Sequence, residues 1–284
     1  MTQARELYAA GNLAGAIEAI TREVKANPTD TARRSFLFEL LCFAGEWDRA
    51  EKQLDVLAGQ GPTAEVGAKV YRNNVRAERD RQRLLVEVSD PHFLTEPPAY
   101  VDMHLEALRQ LRDGNTQAAR EILDRAEEER PALAGTLDGA AFEDLRDYDD
   151  RFAPVLEIIV SDKYTWLPFE QIKRIEITPP EQLRDLIWAP ASIETTDNEL
   201  KAFLPLLYPG SCRHSDDRVR FGRMTDWTML ADELYAGAGL RLLAVDGEEK
   251  PLLEVGSLSF AARDGEASAD SGDEDDERGE PATA

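Results

Sequence analysis

The apolar positions of "LYAAGNLAGAIEAITREVKANP" fall at helical spacing, with Leu7, Leu13, Ala16, Ile17, Ile20 and Val24 on one face. The spacing predicts two short helices joined at Gly11 and Asn12 and closed by Pro28. In "FLFELLCFAGEWDRAEKQLDVLAGQGP", Gly45, Trp47, Ala50, Leu54 and Pro62 repeat Gly11, Leu13, Ala16, Ile20 and Pro28 at a constant offset of 34. A fixed period of this kind marks stacked helical hairpins. The glycine permits the turn, the alanine lets two helices approach, large residues fill the gap and the proline ends the second helix. A third copy, "LRQLRDGNTQAAREILDRAEEERP", sets Gly114, Ala119, Leu123 and Pro131 in the same relation, 69 residues after the second.

The repeat resembles the tetratricopeptide repeat. Its array is interrupted: "TAEVGAKVYRNNVRAERDRQRLLVEV" carries no hairpin signal and predicts one long helix with Val66, Val70, Val75, Leu84 and Leu85 apolar. The prolines of "SDPHFLTEPPAY" then enforce an extended excursion before a third hairpin starting near Asp102. Such an array either packs as a self-capped domain or lines a groove for a partner's helix or peptide, and the pattern leaves both open. The long helix concentrates Arg72, Arg76, Arg79, Arg81 and Arg83. The simpler reading is a solvated face paired with Glu78 and Asp80; the sharper one makes Arg72, Arg76, Arg79 and Arg83 a partner-binding face.

After Leu145 the period changes from helical to alternating. "PVLEIIV", "YTWLPF" and "IKRIEI" predict the first three strands of a small sheet, with Ile175 and Ile177 on one face. "TPPEQLRDLIWAPA" predicts one or two helical turns over Glu181 to Trp188 with Thr178 as a candidate cap. Further strands are expected at "KAFLPLLY", "RVRFGR", "LRLLAVDG" and "PLLEVGSLSF", with "GEEK" as a hairpin turn between the last two; "TDWTMLADELYAGAG" is ambiguous between helix and strand. The predicted architecture is multidomain, α and α+β: a helical repeat domain over 1–136, a small sheet-containing α+β domain over 137–262, and a disordered acidic tail over 263–284.

Composition narrows the partners. The 33 basic residues against 56 acidic ones leave a net charge of -23, which repels nucleic acid and anionic membranes and points to protein partners with basic faces. From Asp264 onward nine acids face one arginine, so -15 remains without that segment. No run is long and apolar enough for a membrane helix, and "MTQARELYAAGN" lacks a signal peptide's pattern, so a cytoplasmic location is expected. Cys42 and Cys212 make neither a disulfide framework nor a metal set and are read as free thiols.

Candidate chemistry centres on "YDDRFAPVLEIIV". Asp147, Asp149 and Asp150, with Glu143 and Asp144, would supply paired carboxylates or a hard-metal site. No histidine stands near them, since His92, His104 and His214 lie in separate segments, and the chain has no nucleophile elbow, phosphate loop, dinucleotide fingerprint or CxxC. The favoured reading is structural: a helix end whose acids cap amides, with Arg151 pairing an aspartate where the chain enters the sheet. No enzyme, cofactor or metal is expected. Trp166, Trp188 and Trp227 fill a core or anchor an interface, and the adjacent Arg184 and Asp185 tie the proline-rich loop to the sheet.

Together the irregular array, the block from "DDRFAPVLEIIV" to "LRDLIWAPA", "YPGS", "RMTDW" and "GAGLRLL" resemble the ImpE family of type VI secretion accessory proteins, also called TagJ or SciE-type proteins. The family pattern D-x-D-x-R-x-G-P-V-L-E is matched by Asp147, Asp149, Arg151, Pro154, Val155, Leu156 and Glu157, with Ala153 in place of glycine. YxWxPF is matched by Tyr164, Trp166, Pro168 and Phe169, and P-x-x-L-R-D-L-x-W by Pro180, Leu183, Arg184, Asp185, Leu186 and Trp188. The chain departs at Leu207, where the family carries arginine, and in the turn Gly237, Ala238, Gly239, Leu240 and Arg241. The resemblance implies a non-enzymatic cytoplasmic adaptor that binds the small subunit of a contractile sheath, with a link to its AAA+ disassembly ATPase. Two other readings are a general peptide-binding repeat scaffold outside secretion and a carboxylate-dependent hydrolase using Asp149 and Asp150.

Overall fold

A computed structural model describes residues 2–87, 89–231 and 233–262. The expected tail at 263–284 lies outside the described residues. Seven helices come first: α1 (Gln3–Ala9), α2 (Leu13–Ala26), α3 (Thr31–Phe43), α4 (Trp47–Ala58), α5 (Pro62–Val86), α6 (Ala99–Arg112) and α7 (Thr116–Glu129). The turn glycines Gly11, Gly45 and Gly114 all adopt the left-handed region that the repeat demands, at φ 76°, 69° and 80°. The Asn12 side chain accepts the Gly15 amide at 2.8 Å and Asp30 that of Arg33 at 3.0 Å, fixing the starts of α2 and α3. The helical array expected from the 34-residue period is present, interrupted by one long helix as predicted.

The apolar face assigned to α5 is partly wrong. Val75 and Leu84 are buried, but Val66 is exposed, and the inward stripe runs through Ala68, Val75, Ala77, Glu78, Arg81 and Leu84. Arg81 therefore leaves the solvated face and joins the interior.

The second half is sheet-rich. Its strands are β1 (Gly135–Leu137), β2 (Ala140–Phe142), β3 (Leu145–Asp147), β4 (Val155–Val160), β5 (Lys163–Pro168), β6 (Ile172–Ile177), β7 (Trp188–Thr195) and β8 (Glu199–Pro205). A short helix α8 (Asp217–Arg220) leads to β9 (Thr225–Ala231), β10 (Leu234–Gly239), β11 (Leu242–Val245), β12 (Glu248–Pro251) and β13 (Ser257–Phe260). Eight strands pair antiparallel in the order β2-β1-β13-β6-β7-β8-β4-β5, beside a three-stranded sheet β12-β11-β3 and the ribbon β10-β9.

Several local readings are corrected. Three short strands precede Asp149, so the stretch around Glu143 links β2 and β3, strands of different sheets, and is not a helix end. "RVRFGR" holds α8, because the Asp216 side chain caps the Arg218 amide at 2.8 Å and starts a helical turn. The last hairpin turns at Asp246 and Gly247, both at positive φ, while Glu248 to Pro251 form β12. Only a 3-10 turn over Leu183–Leu186 precedes Trp188, which opens β7; Gln182, not Thr178, is its cap.

β4 is buried on both faces and carries two cores. Val155 and Ile159 face the helices together with Tyr164, Trp166 and Trp188, while Leu156 and Ile158 face the second core with Leu167, Ile193 and Leu204. Period-two alternation thus turns Glu157 toward the helices. The outer edge of β5 is covered by the extended excursion: the His92 amide donates to the Tyr164 carbonyl at 3.1 Å and the Trp166 amide to that of His92 at 2.9 Å.

Candidate functional site

Where α5 crosses the helix-facing side of the sheet, the buried Arg81, Arg151 and Arg241 meet the buried Glu78, Asp147, Asp149 and Glu157. Several elements bring them together. Arg81 sits three residues after Glu78 on the inward stripe of α5, Glu157 is on β4, Asp147 ends β3, and Arg241 immediately precedes β11.

Glu157 is the hub. Arg81 donates to it through Nε and Nη2, both at 2.8 Å, while the same Nη2 donates to the Leu207 carbonyl at 2.7 Å and Nη1 reaches Glu78 at 3.3 Å. Arg241 bridges Glu157 and Asp147. The Tyr164 hydroxyl donates to Glu157 and accepts from the Trp166 indole, and the Trp188 indole donates to Glu78 at 3.2 Å. This bidentate, charge-assisted geometry is what lets charges stay buried.

Asp147 and Asp149 form the second half. Asp147 accepts the Asp149 amide at 2.9 Å and the Tyr208 hydroxyl at 3.0 Å. Asp149 accepts the Arg151 amide at 3.0 Å, its Nε at 2.9 Å and the Gly237 amide at 2.8 Å. Burial pushes the Asp147 carboxyl up and the Arg241 guanidinium down, and their mutual attraction opposes both shifts. Burial also lifts the phenols of Tyr164 and Tyr208. At Arg151, burial works against the charge, and the Asp149 carboxylate together with Tyr208 and Asp147 holds the guanidinium more basic than usual.

Other predicted residues brace the same joint. The Pro154 carbonyl accepts the Phe169 amide at 2.9 Å, Pro168 stands opposite Val155 in the β4–β5 register, and the buried Phe169 packs near Phe260. Arg184 and Asp185 do not tie the loop to the sheet as expected. Arg184 donates to Glu39 of α3 at 2.9 Å and lies 4.9 Å over the Tyr71 ring of α5, whereas Asp185 accepts the Glu181 and Gln182 amides at 3.0 and 2.8 Å. The loop is thereby fastened to the helical array. Trp188 packs 6.5 Å from Trp47 and 6.3 Å from Tyr71.

The exposed Arg76 and Arg83 and the half-buried Arg72 and Arg79 of α5 each meet an acid of the chain. Arg72 reaches Asp55 at 2.8 Å, Arg76 reaches Asp162 at 3.1 Å, Arg79 reaches Asp48 and Glu51 at 2.7 Å, and Arg83 reaches Asp80 at 3.1 Å. Asp150 meets Arg146 at 2.9 Å and Arg120 at 3.1 Å. Asp149 is fully buried, while Asp150 lines a cleft with its carboxylate engaged by those two arginines. Among the described residues no group of three or more His, Cys, Asp or Glu is arranged to hold a metal ion, and no helix is long and apolar enough to cross a membrane.

Next to this joint the helices form an apolar groove of about 340 Å³, lined by Phe38 of α3, Leu54 and Leu57 of α4, Ala68 and Tyr71 of α5, and Arg184. Val56 and Val66, 43% and 66% exposed, neighbour its lining residues Leu57 and Gly67 in the chain. Sequence reasoning left a groove open without placing it, read Glu78 and Arg81 as solvated, and missed Tyr208. Extending the stripe of Val75 and Leu84 through the charged stretch would have placed Glu78 and Arg81 inside.

A family model for the ImpE protein matches residues 139–259, and one for the tetratricopeptide repeat matches residues 7–70. The type VI secretion system accessory component TagJ of Pseudomonas aeruginosa is 33% identical over 264 residues, 92% of either chain. The chain belongs to the ImpE/TagJ family. The crystal structure of protein VPA1032 from Vibrio parahaemolyticus matches with a TM-score of 0.85 at 25% identity, covering 92% of this chain and 98% of that one. In the ImpE/TagJ frame the matched segment contains Asp147, Asp149, Arg151, Glu157 and Arg241, the sheet-side half of the buried charge network. Arg81 and Glu78, its helix-side half, lie outside both matched segments.

Proposed function

We propose that this chain is a non-enzymatic cytoplasmic adaptor of a type VI secretion system, which binds the small subunit of the contractile sheath and links it to the AAA+ disassembly ATPase. The observation that carries the reading is the apolar groove of the helical array, open beside a joint in which every signature carboxylate is held by arginines or amides. A groove between Phe38, Leu57 and Tyr71 suits the apolar anchors that an amphipathic helix presents at i, i+3 and i+4.

Arg72 follows the lining residue Tyr71 in the chain and pairs with Asp55, and Arg76, Arg79 and Arg83 continue along α5. Exposed ion pairs of this kind contribute about 0–1 kcal/mol, so a partner's carboxylates can exchange into them at little cost. The accessory role named for TagJ of Pseudomonas aeruginosa and the tetratricopeptide match support an adaptor over a catalyst. A pull-down from host cytosol tests the proposal. Sheath subunits are expected in the bound fraction of the wild type and of a form lacking residues 263–284; their absence from both would overturn it.

A further inference from the structure

The ribbon β9–β10 has two faces with different fates. Leu230, Ala231 and Leu234 pack on Ala107 and Leu123 of α6 and α7, which anchors the ribbon to the third helical hairpin. In the register, Met229 stands opposite Tyr235 and Trp227 opposite Gly237, so Trp227, Met229 and Tyr235 share the other face. Met229 is 64% and Tyr235 44% exposed. Gly237 is required beneath the indole: a Cβ there would come within 2.6 Å of the Tyr208 ring and 3.0 Å of Trp227.

This face borders a cleft of about 580 Å³ whose walls include Tyr148, Trp227, Tyr235, Arg146, Asp150 and Glu249. Tyr148 and Trp227 lie 5.5 Å apart at 49°, with Tyr208 5.6 Å behind the indole. Arg146 is already matched by Asp150, and Asp144 at the cleft by Arg130. Glu249, on β12, has no ion pair among the described residues. Burial and the neighbouring Glu249 carboxylate raise the Tyr148 phenol, consistent with negative charge at this wall.

We propose that this aromatic cleft is a second docking site, which takes an arginine or lysine side chain of a protein segment against the rings of Tyr148, Trp227 and Tyr235 with Glu249 as its counter-charge. Aromatic faces attract a cation through their quadrupole, and a carboxylate at the rim completes the complement. The outward Met229 and Tyr235 would cover an apolar neighbour of that cation. Charge decides among occupants: nucleic acid, a second copy of a chain of net charge -23 and the chain's own acidic C-terminus are all repelled. The site is independent of what fills the helical groove.

The test uses the full chain with its tryptophans observed by indole N–H resonances, Trp227 being assigned by its loss in Trp227→Phe. The probes are the acetylated peptide amides GLRLKG and GLELEG. The basic peptide is expected to shift the Trp227 resonance and leave Trp47, Trp166 and Trp188 in place, while the acidic peptide shifts none. Tyr235→Ala and Glu249→Lys should each weaken the basic peptide by about tenfold. Both residues are exposed, and unmoved resonances of the other three indoles report intact folding. Equal response to the two peptides, no Trp227 shift at saturating basic peptide, or wild-type affinity in both variants would overturn the proposal. A concentration-dependent dimer abolished by Tyr235→Ala would overturn it in favour of self-association.

Discussion

Removing the Arg81 guanidinium tests the buried network at its point of greatest leverage. In Arg81→Met the stem is kept, Glu78 retains the Trp188 indole and Glu157 retains Tyr164 and Arg241, but both 2.8 Å contacts to Glu157 and the donor to the Leu207 carbonyl vanish. Breaking a buried pair from one side costs about 3–5 kcal/mol, because the partner's charge stays inside, and here Glu78 and Glu157 are left with one guanidinium fewer between them. At about 2–4 °C per kcal/mol for a chain of this size, the midpoint of thermal unfolding should fall by about 6–20 °C. Glu157→Gln should be of similar severity, since it strips the carboxylate from Arg81 and Arg241 together. The double variant is the discriminating one. If the pair is coupled as drawn, its loss in urea unfolding followed by circular dichroism is smaller than the sum of the single losses by at least about 1.5 kcal/mol. Additivity within about 0.5 kcal/mol would refute the claim that these side chains act as one brace.

Three further outcomes follow from the same structure. Burial holds the His104 imidazole at about 4 against 6.5 for the free side chain, the Arg151 carbonyl opposing only weakly. The unfolded chain then binds the extra proton between those values. Stability should therefore fall as pH drops from 6.5 to 4, by about 3 kcal/mol, and His104→Gln should flatten that part of the urea-midpoint profile. Gly237→Ala should cost about 1–3 kcal/mol through the clash with the Tyr208 and Trp227 rings, read as a lowered unfolding midpoint. Cys42, fully enclosed and with its thiol pushed well up by burial, should be alkylated by iodoacetamide at pH 8 only after denaturation; rapid labelling of the native chain would contradict its placement.

How much of this was legible in the sequence depends on how local the signal is. The hairpin glycines and the 34-residue period are local, and they correctly located both helices of each repeat. Strands β4, β5 and β6 were equally legible from alternation and β-branched residues. β1 to β3 were not: each is three residues long, and beyond the local β1–β2 hairpin they are held by distant partners, β1 pairing with β13 and β3 with β11, which no window around Glu143 contains. The acids of "DYDDR" were read as structural, with Arg151 as the partner of an aspartate, and that pair is local; the other partners lie far off, since Asp147 holds Arg241, 94 residues away, and Asp149 accepts the Gly237 amide, 88 residues away. Arg81 was hidden for another reason. A stretch as charged as "RAERDRQR" reads as solvated unless the apolar stripe on either side is carried through it.

The central claim, that the helical groove receives a helix of the small sheath subunit, is tested most directly by titrating the purified subunit into the chain and into its Leu57→Glu and Tyr71→Ala variants by calorimetry. Binding by the wild type that weakens at least about tenfold in each variant is the predicted result. A wild type that does not bind the subunit, or groove variants that bind it as well as the wild type does, would contradict it.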